Sequence, residues 1–302
     1  MTAALLSRTA DLTTEQLADV RALLSAATAS DGVEPVGEQV VRALTRPAVA
    51  GLQPHLLATA GGRVRGYAHV EPAAGGEPEF VELVVHPEHR RAGTGTALLD
   101  AALTARARVW AHGDGAPARD LAARAGLVSV RELWQMRLDL TTVELPELPS
   151  RADVALRTYA GPGDDAAVLA VNNAAFAWHP EQGGWTDREI ADRRAEPWFD
   201  ADGFFLAHDS GSSELLGFHW TKVHEARDGE PAVGEVYVVG ISPAAQGRGL
   251  GRLLTLAGLH HLRAAALGAV LLYVEGDNAA AVHTYQRLGF TPFHVDRVWA
   301  RA

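Results

Sequence analysis

Two segments of this 302-residue chain place glycines where a backbone could grip an anion. Gln246-Gly247-Arg248-Gly249-Leu250-Gly251 follows an apolar run and opens a helix-like one, and Arg90-Arg91-Ala92-Gly93-Thr94-Gly95 does the same. Glycine lets a backbone approach a ligand closely. The start of a helix leaves N–H groups unpaired, and its dipole favours negative charge, so a phosphate or pyrophosphate is the natural ligand. A Walker A loop is excluded because no Gly-Lys-Ser/Thr follows. A dinucleotide fingerprint fits poorly, because Leu254 stands where a small residue is needed. For either loop alone a glycine turn made for packing is the alternative. Two copies, each after a buried strand and a proline, favour the anion.

The remaining chemistry is narrow. No cysteine is present, which excludes disulfides, thiolate metal sites and a cysteine nucleophile. No HExxH occurs, and His260 and His261 are helix neighbours that cannot face one ligand together, so no metal is expected. Lys+Arg total 27, of which Lys222 is the sole lysine. Lysine is a compact ammonium where arginine is a planar fork, so Lys222 is a candidate polar contact, with chance survival as the alternative. The net charge of -10 argues against nucleic acid and suits a cationic substrate. The apolar stretch from Leu250 to Val274 is broken by Arg252, His260, His261 and Arg263, so it is not a membrane span. No secretory leader is read at the start, and the expected location is the cytoplasm.

These residues need elements to position them, and the chain supplies them twice. Pro87 matches Pro243, Arg90 matches Gln246, Gly93 matches Gly249 and Gly95 matches Gly251, all 156 residues apart. Downstream, Ala123 to Val130 resembles Gln286 to Phe293 at a spacing of 163. Such long-period similarity means a duplicated domain. The proline-bearing stretch from Thr141 to Asp153 reads as a semi-rigid linker. The expected division is 1–140, a linker at 141–152, and 153–302. In the second half, VALRTY, GFFLAHD, LLGFHWTKV, EVYVVGI and AVLLYVE read as strands, with EVYVVGI central and buried. DDAAVLAVNNAAF, TDREIADRRAE, GRLLTLAGLHHLRAAAL and Asn278 to Leu288 read as helices, the last ending at Gly289, and a final strand follows. The fold class is therefore α/β, with helices flanking a central sheet in each half.

The two glycine loops resemble the acyl-CoA pyrophosphate loop, Q/R-x-x-G-x-G/A, of the GCN5-related N-acetyltransferase (GNAT) family. Asn278, Tyr285 and Leu288-Gly289-Phe290 resemble that family's terminal helix and turn. Five longer strings resemble the tandem mycothiol synthase branch of the family: Asp31 to Val40, Asn172 to Trp185, Leu215 to His224, Gly234 to Gly251 and Leu271 to Phe290. The resemblance covers nearly the whole chain. It implies two tandem GNAT domains, each a mixed sheet flanked by helices. It also implies acetyl-CoA as co-substrate and, as acceptor, the cysteinyl amine of the thiol-bearing pseudodisaccharide Cys-GlcN-Ins.

Residue roles follow from the same resemblance. Val239, Gly240 and Ile241 would present backbone groups to the thioester and the pantetheine arm. Gln246, Gly247, Arg248, Gly249, Leu250, Gly251 and Arg252 would hold the pyrophosphate. Glu235 would be the general base and Tyr285 the general acid for the departing thiolate. Asn278 would cap its helix and touch the cofactor arm, with capping alone as the alternative. Glu38, Glu181, Lys222, Glu235 and Tyr273 would contact the acceptor, Glu38 implying a cleft between the domains. Trp178, Trp185 and Trp198 are read as packing groups.

The first half lacks parts of this machinery. At a spacing of 163, Tyr285 meets Ala122 and Asn278 meets Gly115, while at 156 Glu235 meets Glu79 in a poor copy of the strand. The first half is thus expected to hold acetyl-CoA, at Leu83, Val84 and Val85 and at Arg91, Ala92, Gly93, Thr94, Gly95 and Thr96, without catalysing. The protein is expected to act as a monomer, with neither nucleic acid nor membrane as a partner. Another small amine as acceptor, an aminoglycoside or a peptide amine, and a non-catalytic acetyl-CoA sensor are the rival readings.

Overall fold

The computed structural model describes residues 4–45, 49, 51–73, 78–177, 182–226, 229 and 231–302. The chain forms two compact units, Met1–Leu133 with His294–Ala302, and Trp134–Phe293.

The first unit runs β1 (Leu5–Thr9), α1 (Thr14–Asp31), α2 (Glu38–Ala43), β2 (His55–Ala60), β3 (Arg63–Glu71), β4 (Phe80–Val85), α3 (Thr94–Ala102), β5 (Arg108–Ala111), α4 (Ala116–Arg124) and the beginning of β6 (Leu127–Asp139). Its strands follow the order β1-β2-β3-β4-β5, antiparallel except for the parallel β4–β5 pair. Next to β5 lies not a neighbour in sequence but the end of the chain: Arg297, Val298 and Trp299 pair with Ala111, Trp110 and Val109. Alternation along β2, β3 and β4 sends Leu56, Ala58, Val70 and Val81 toward α3. It sends Leu57, Tyr67 and Val84 toward α1 and α2.

The second unit contains the rest of β6, then β7 (Val154–Thr158), α5 (Asp165–Ala175), α6 (Asp187–Arg194), β8 (Phe204–Asp209), β9 (Leu215–His224), β10 (Val233–Ile241), α7 (Leu250–Ala264), β11 (Ala269–Glu275), α8 (Ala279–Arg287) and the beginning of β12 (Thr291–Arg301). The order β7-β8-β9-β10-β11 is again antiparallel until the parallel β10–β11 pair. Every strand and helix expected in this half is present, and β10 is central, as its β-branched run implied. The stretch after β6 has neither helix nor strand, yet it is tied down. Leu145 is buried, Arg263 donates to Val143 O at 2.6 Å, and His260 Nε2 lies 2.9 Å from Pro146 O. The last nine residues, His294–Ala302, complete the first unit, whereas the expected division at 153–302 assigns them to the second.

Candidate active site

In the second unit β10 and β11 pair only at Gly234–Val270, Glu235–Leu271 and Val236–Leu272, after which they part. A β-bulge accompanies the change on the other side of β10. Val236 opposes Thr221 and Val238 opposes Trp220, so Tyr237 is an extra residue on β10. Beyond it the alternation of N–H groups can be read directly. Ser242 N–H donates to Leu216 O at 2.9 Å, so Gly240 also points toward β9. Val239 and Ile241 then aim their N–H groups into the gap where β11 has left. These are donors with no strand partner, the arrangement that suits an amide-bearing arm and a thioester oxygen.

A cavity of about 520 Å³ opens at this gap, lined by Val239, Ile241, Gln246, Gly251, Asn278 and Tyr285 among others. Its upper rim is the glycine loop. Gly247 and Gly249 take φ of +77° and +75°, left-handed values that favour glycine, and Gly249 is the N-cap of α7. No side chain caps that end, so the first N–H groups of α7, at Leu250, Gly251 and Arg252, remain available to an anion. The Arg248 side chain is engaged elsewhere, 2.9 Å from Asp153, which leaves its backbone as the part facing a ligand. Arg252 is exposed.

Asn278 caps α8, its Oδ1 accepting from Ala281 N–H at 3.1 Å. Tyr285 lies two turns further on the same face and also borders the cavity. Its ring meets Phe290 edge-on, and burial pushes the phenol up to about 12, so it keeps its proton at neutral pH.

Glu235 is buried on β10, one residue before the strands part, directly across from Lys222 on β9. Its Oε2 lies 2.6 Å from His224 Nε2. The Lys222 ammonium rests instead over the rings of Trp198 and Tyr237, 4.9 and 5.3 Å from their centroids. Tyr237 is fixed from behind, because Arg193 on α6 donates to its hydroxyl at 2.9 Å and stacks on Trp185. Tyr273 is about half exposed, and Gln135 donates to its hydroxyl at 2.8 Å.

The first unit repeats the gap. β4 and β5 pair at Phe80–Arg108, Val81–Val109 and Glu82–Trp110 and then part. His86 N–H donates to Arg65 O at 2.9 Å, so Leu83 and Val85 aim their N–H groups into the gap, with Val84 turned toward β3. A cavity of about 650 Å³ lies there, bordered by Gly93, Gly95 and Thr96. Gly93 caps α3 in a left-handed conformation, and Arg91 adopts φ of +61° beside Ala92 and pairs with Asp120 at 3.2 Å. Thr94, the first residue of α3, is buried.

The two units differ where chemistry would occur. β4 carries no bulge, so counting 156 residues back from Glu235 selects the wrong position. Gly217 opposes Ile241 as Gly66 opposes Val85, and stepping along both pairs sets Phe80 opposite Glu71 where the second unit has Glu235 opposite Lys222. Glu79 instead accepts from the Thr104 hydroxyl. The first unit has a half-buried imidazole of its own beside the gap, His112, with Nε2 3.0 Å from Glu82 and Nδ1 3.3 Å from Asp296. Burial alone would lower this imidazole, but the two carboxylates overcome it and raise it to about 9.

Glu38 opens α2 in the first unit and is exposed, accepting from Arg42 at 2.6 Å. Glu181 and Trp178 lie outside the described residues. Trp185 is a core residue, as read, whereas Trp198 both packs and carries the Lys222 ammonium. His260 and His261 do point apart, His261 lying 3.0 Å from Asp200. His224 and His112 were missed. The signal for His224 is its place two residues after Lys222, on the same face of one strand. No local signal gives His112, because Asp296 is 184 residues away. Among the described residues, His86, Glu88 and His89 bring ligating atoms within 4.8 Å of one another, on a partly exposed turn.

Comparison with known proteins gives a consistent picture. Residues 172–290 match the model of the acetyltransferase (GNAT) family, and residues 52–127 match a second acetyltransferase (GNAT) domain model. The chain is 61% identical over 285 residues to the mycothiol acetyltransferase of Nocardia farcinica, covering 93% of this chain and 92% of that one. It is 55% identical to the mycothiol acetyltransferase of Rhodococcus jostii over the full length of both. Among solved structures, a tandem GNAT protein from the clavulanic acid biosynthesis pathway aligns over 98% of this chain and 97% of its own. With a TM-score of 0.66 and 22% identity, that likeness speaks for the fold.

Proposed function

Because the chain belongs to the mycothiol acetyltransferases, tandem members of the GNAT family, we propose that it moves the acetyl group of acetyl-CoA onto the cysteinyl amine of Cys-GlcN-Ins, the final step of mycothiol biosynthesis. The observation that carries the reading at the site is the second unit's gap. There, unpaired strand N–H groups, an uncapped helix start and a phenol border one cavity, and Glu235 lies on the same strand just before it parts from β11.

In this reading the first N–H groups of α7, with Gln246 and the glycine loop, hold the pyrophosphate. The Val239 and Ile241 N–H groups hold the pantetheine arm and draw charge onto the thioester oxygen. Gly240 supplies backbone between them, and the amide nitrogen of Asn278 is left for the arm while its oxygen caps α8. Glu235 takes the ammonium proton, directly or through water, and frees the nitrogen lone pair. Glu235 passes that proton to solvent, the nitrogen bonds to the thioester carbon, its second proton leaves by the same route, and the carbon–sulfur bond breaks toward sulfur, which leaves as a thiolate. Tyr285 faces the leaving sulfur. A free thiol titrates at about 8.5, below this phenol at about 12. The main contribution of Tyr285 is therefore a hydrogen bond that stabilises the thiolate. Lys222 and Tyr273 contact the acceptor's amine and hydroxyls.

The first unit holds acetyl-CoA without turning it over. Supporting this are its retained gap and glycine loop, and Phe80, Ala122 and Gly115 standing where the second unit has Glu235, Tyr285 and Asn278. No helix among the described residues is long and apolar enough to cross a membrane, and we place the monomeric enzyme in the cytoplasm. The test is thiol release from acetyl-CoA with Cys-GlcN-Ins beside a panel of aminoglycosides and peptide amines. The reading requires the highest kcat/KM with Cys-GlcN-Ins. Equal or better turnover of another amine would retain the chemistry and discard the acceptor.

A further inference from the structure

We propose that His224 is a positioning residue for the base: its imidazole fixes one oxygen of Glu235 so that the other is presented to the acceptor's ammonium. This rests on Glu235 being the base. The separation of 2.6 Å between His224 Nε2 and Glu235 Oε2 is that of a hydrogen bond, with the ring N–H donating to the carboxyl oxygen. Oε1 makes no hydrogen bond among the described residues. The Glu235 side chain is 9% exposed and that of His224 40%, so the ring is the buried carboxylate's link toward solvent.

Lys222 is the obvious rival for this task, because its backbone faces that of Glu235 across the ladder. Its ammonium goes to Trp198 and Tyr237 instead and makes no ion pair with Glu235. The carboxylate is therefore held by an imidazole N–H rather than by the lysine ammonium.

During transfer the ammonium proton passes to Glu235 Oε1 and on to solvent, the freed nitrogen bonds to the acyl carbon and gives its second proton to Glu235 Oε1, and the carbon–sulfur electrons leave with sulfur as a thiolate. The second proton then also goes from Glu235 to solvent, while the His224 Nε2–H stays in place throughout.

Two variants test the donor. His224→Gln keeps an N–H donor, and His224→Phe removes it. We expect His224→Phe to lower kcat/KM for Cys-GlcN-Ins by about ten- to a hundredfold, the size of a lost hydrogen bond to a charged group. His224→Gln should stay within about threefold of wild type. Acetyl-CoA affinity by calorimetry should be unchanged in both, which also reports folding. Wild-type kcat/KM in His224→Phe would overturn the proposal alone. So would a fall in His224→Gln equal to that in His224→Phe. A wild-type enzyme that acetylates no amine would overturn the proposed function and this inference together.

Discussion

At the scale of residues, the account stands on Glu235 and Tyr285. Glu235→Gln keeps the size of the side chain and removes the proposed base, so kcat should fall about a hundred- to ten-thousandfold with acetyl-CoA affinity intact, measured by steady-state kinetics and calorimetry. Tyr285→Phe should lower kcat about ten- to a hundredfold by removing the donor to the leaving sulfur, again with little change in affinity. Equal loss of turnover and affinity would mark Tyr285 as structural. Glu235, Tyr285 and Asn278 were legible in the sequence through motif resemblance. Their partners were not. His224 is one letter in a strand until the β10 ladder brings it against Glu235. The bulge at Tyr237 has no sequence signal, so a constant spacing pointed to Glu79 where the ladder selects Phe80.

At the scale of elements, the site depends on a strand that loses its neighbour and a helix that starts without a cap. Apolar β-branched runs and glycines announced both elements. The gap between β10 and β11 is a property of pairing and could not be read from either strand alone. Gly251 offers a clean test. A Cβ built there meets no atom within 4 Å, and its backbone is not left-handed, so Gly251→Ala should leave the Tm within about a degree. If a pyrophosphate sits against this turn, the added methyl should still weaken acetyl-CoA binding severalfold by calorimetry. Unchanged affinity would place the anion elsewhere.

At the scale of the molecule, duplication was readable from the repeated loops, but the destination of the last strand was not. His294–Ala302 completes the first unit. Trp299 borders that unit's cavity, and Asp296 accepts from Gly113 N–H at 2.8 Å and holds His112. A chain ending at Phe293 should therefore lose stability and acetyl-CoA binding in the N-terminal unit, although the deleted residues are at the other terminus. A two-site calorimetric titration reads this as loss of one site. The same cluster sets a pH dependence. His112 is raised from an unfolded value of about 6.5 to about 9 in the fold. Its contribution is thus full below about pH 6.5 and is lost as pH rises through 9. The wild-type Tm should fall more steeply between pH 7 and 9 than that of His112→Gln, followed by scanning calorimetry. The most direct test of the central claim is mass spectrometry of the product formed from acetyl-CoA and Cys-GlcN-Ins. The account predicts one acetyl group on the cysteinyl nitrogen with the thiol free, and almost none with Glu235→Gln. Acetyl-CoA binding without any transfer, or transfer undiminished in Glu235→Gln, would contradict it.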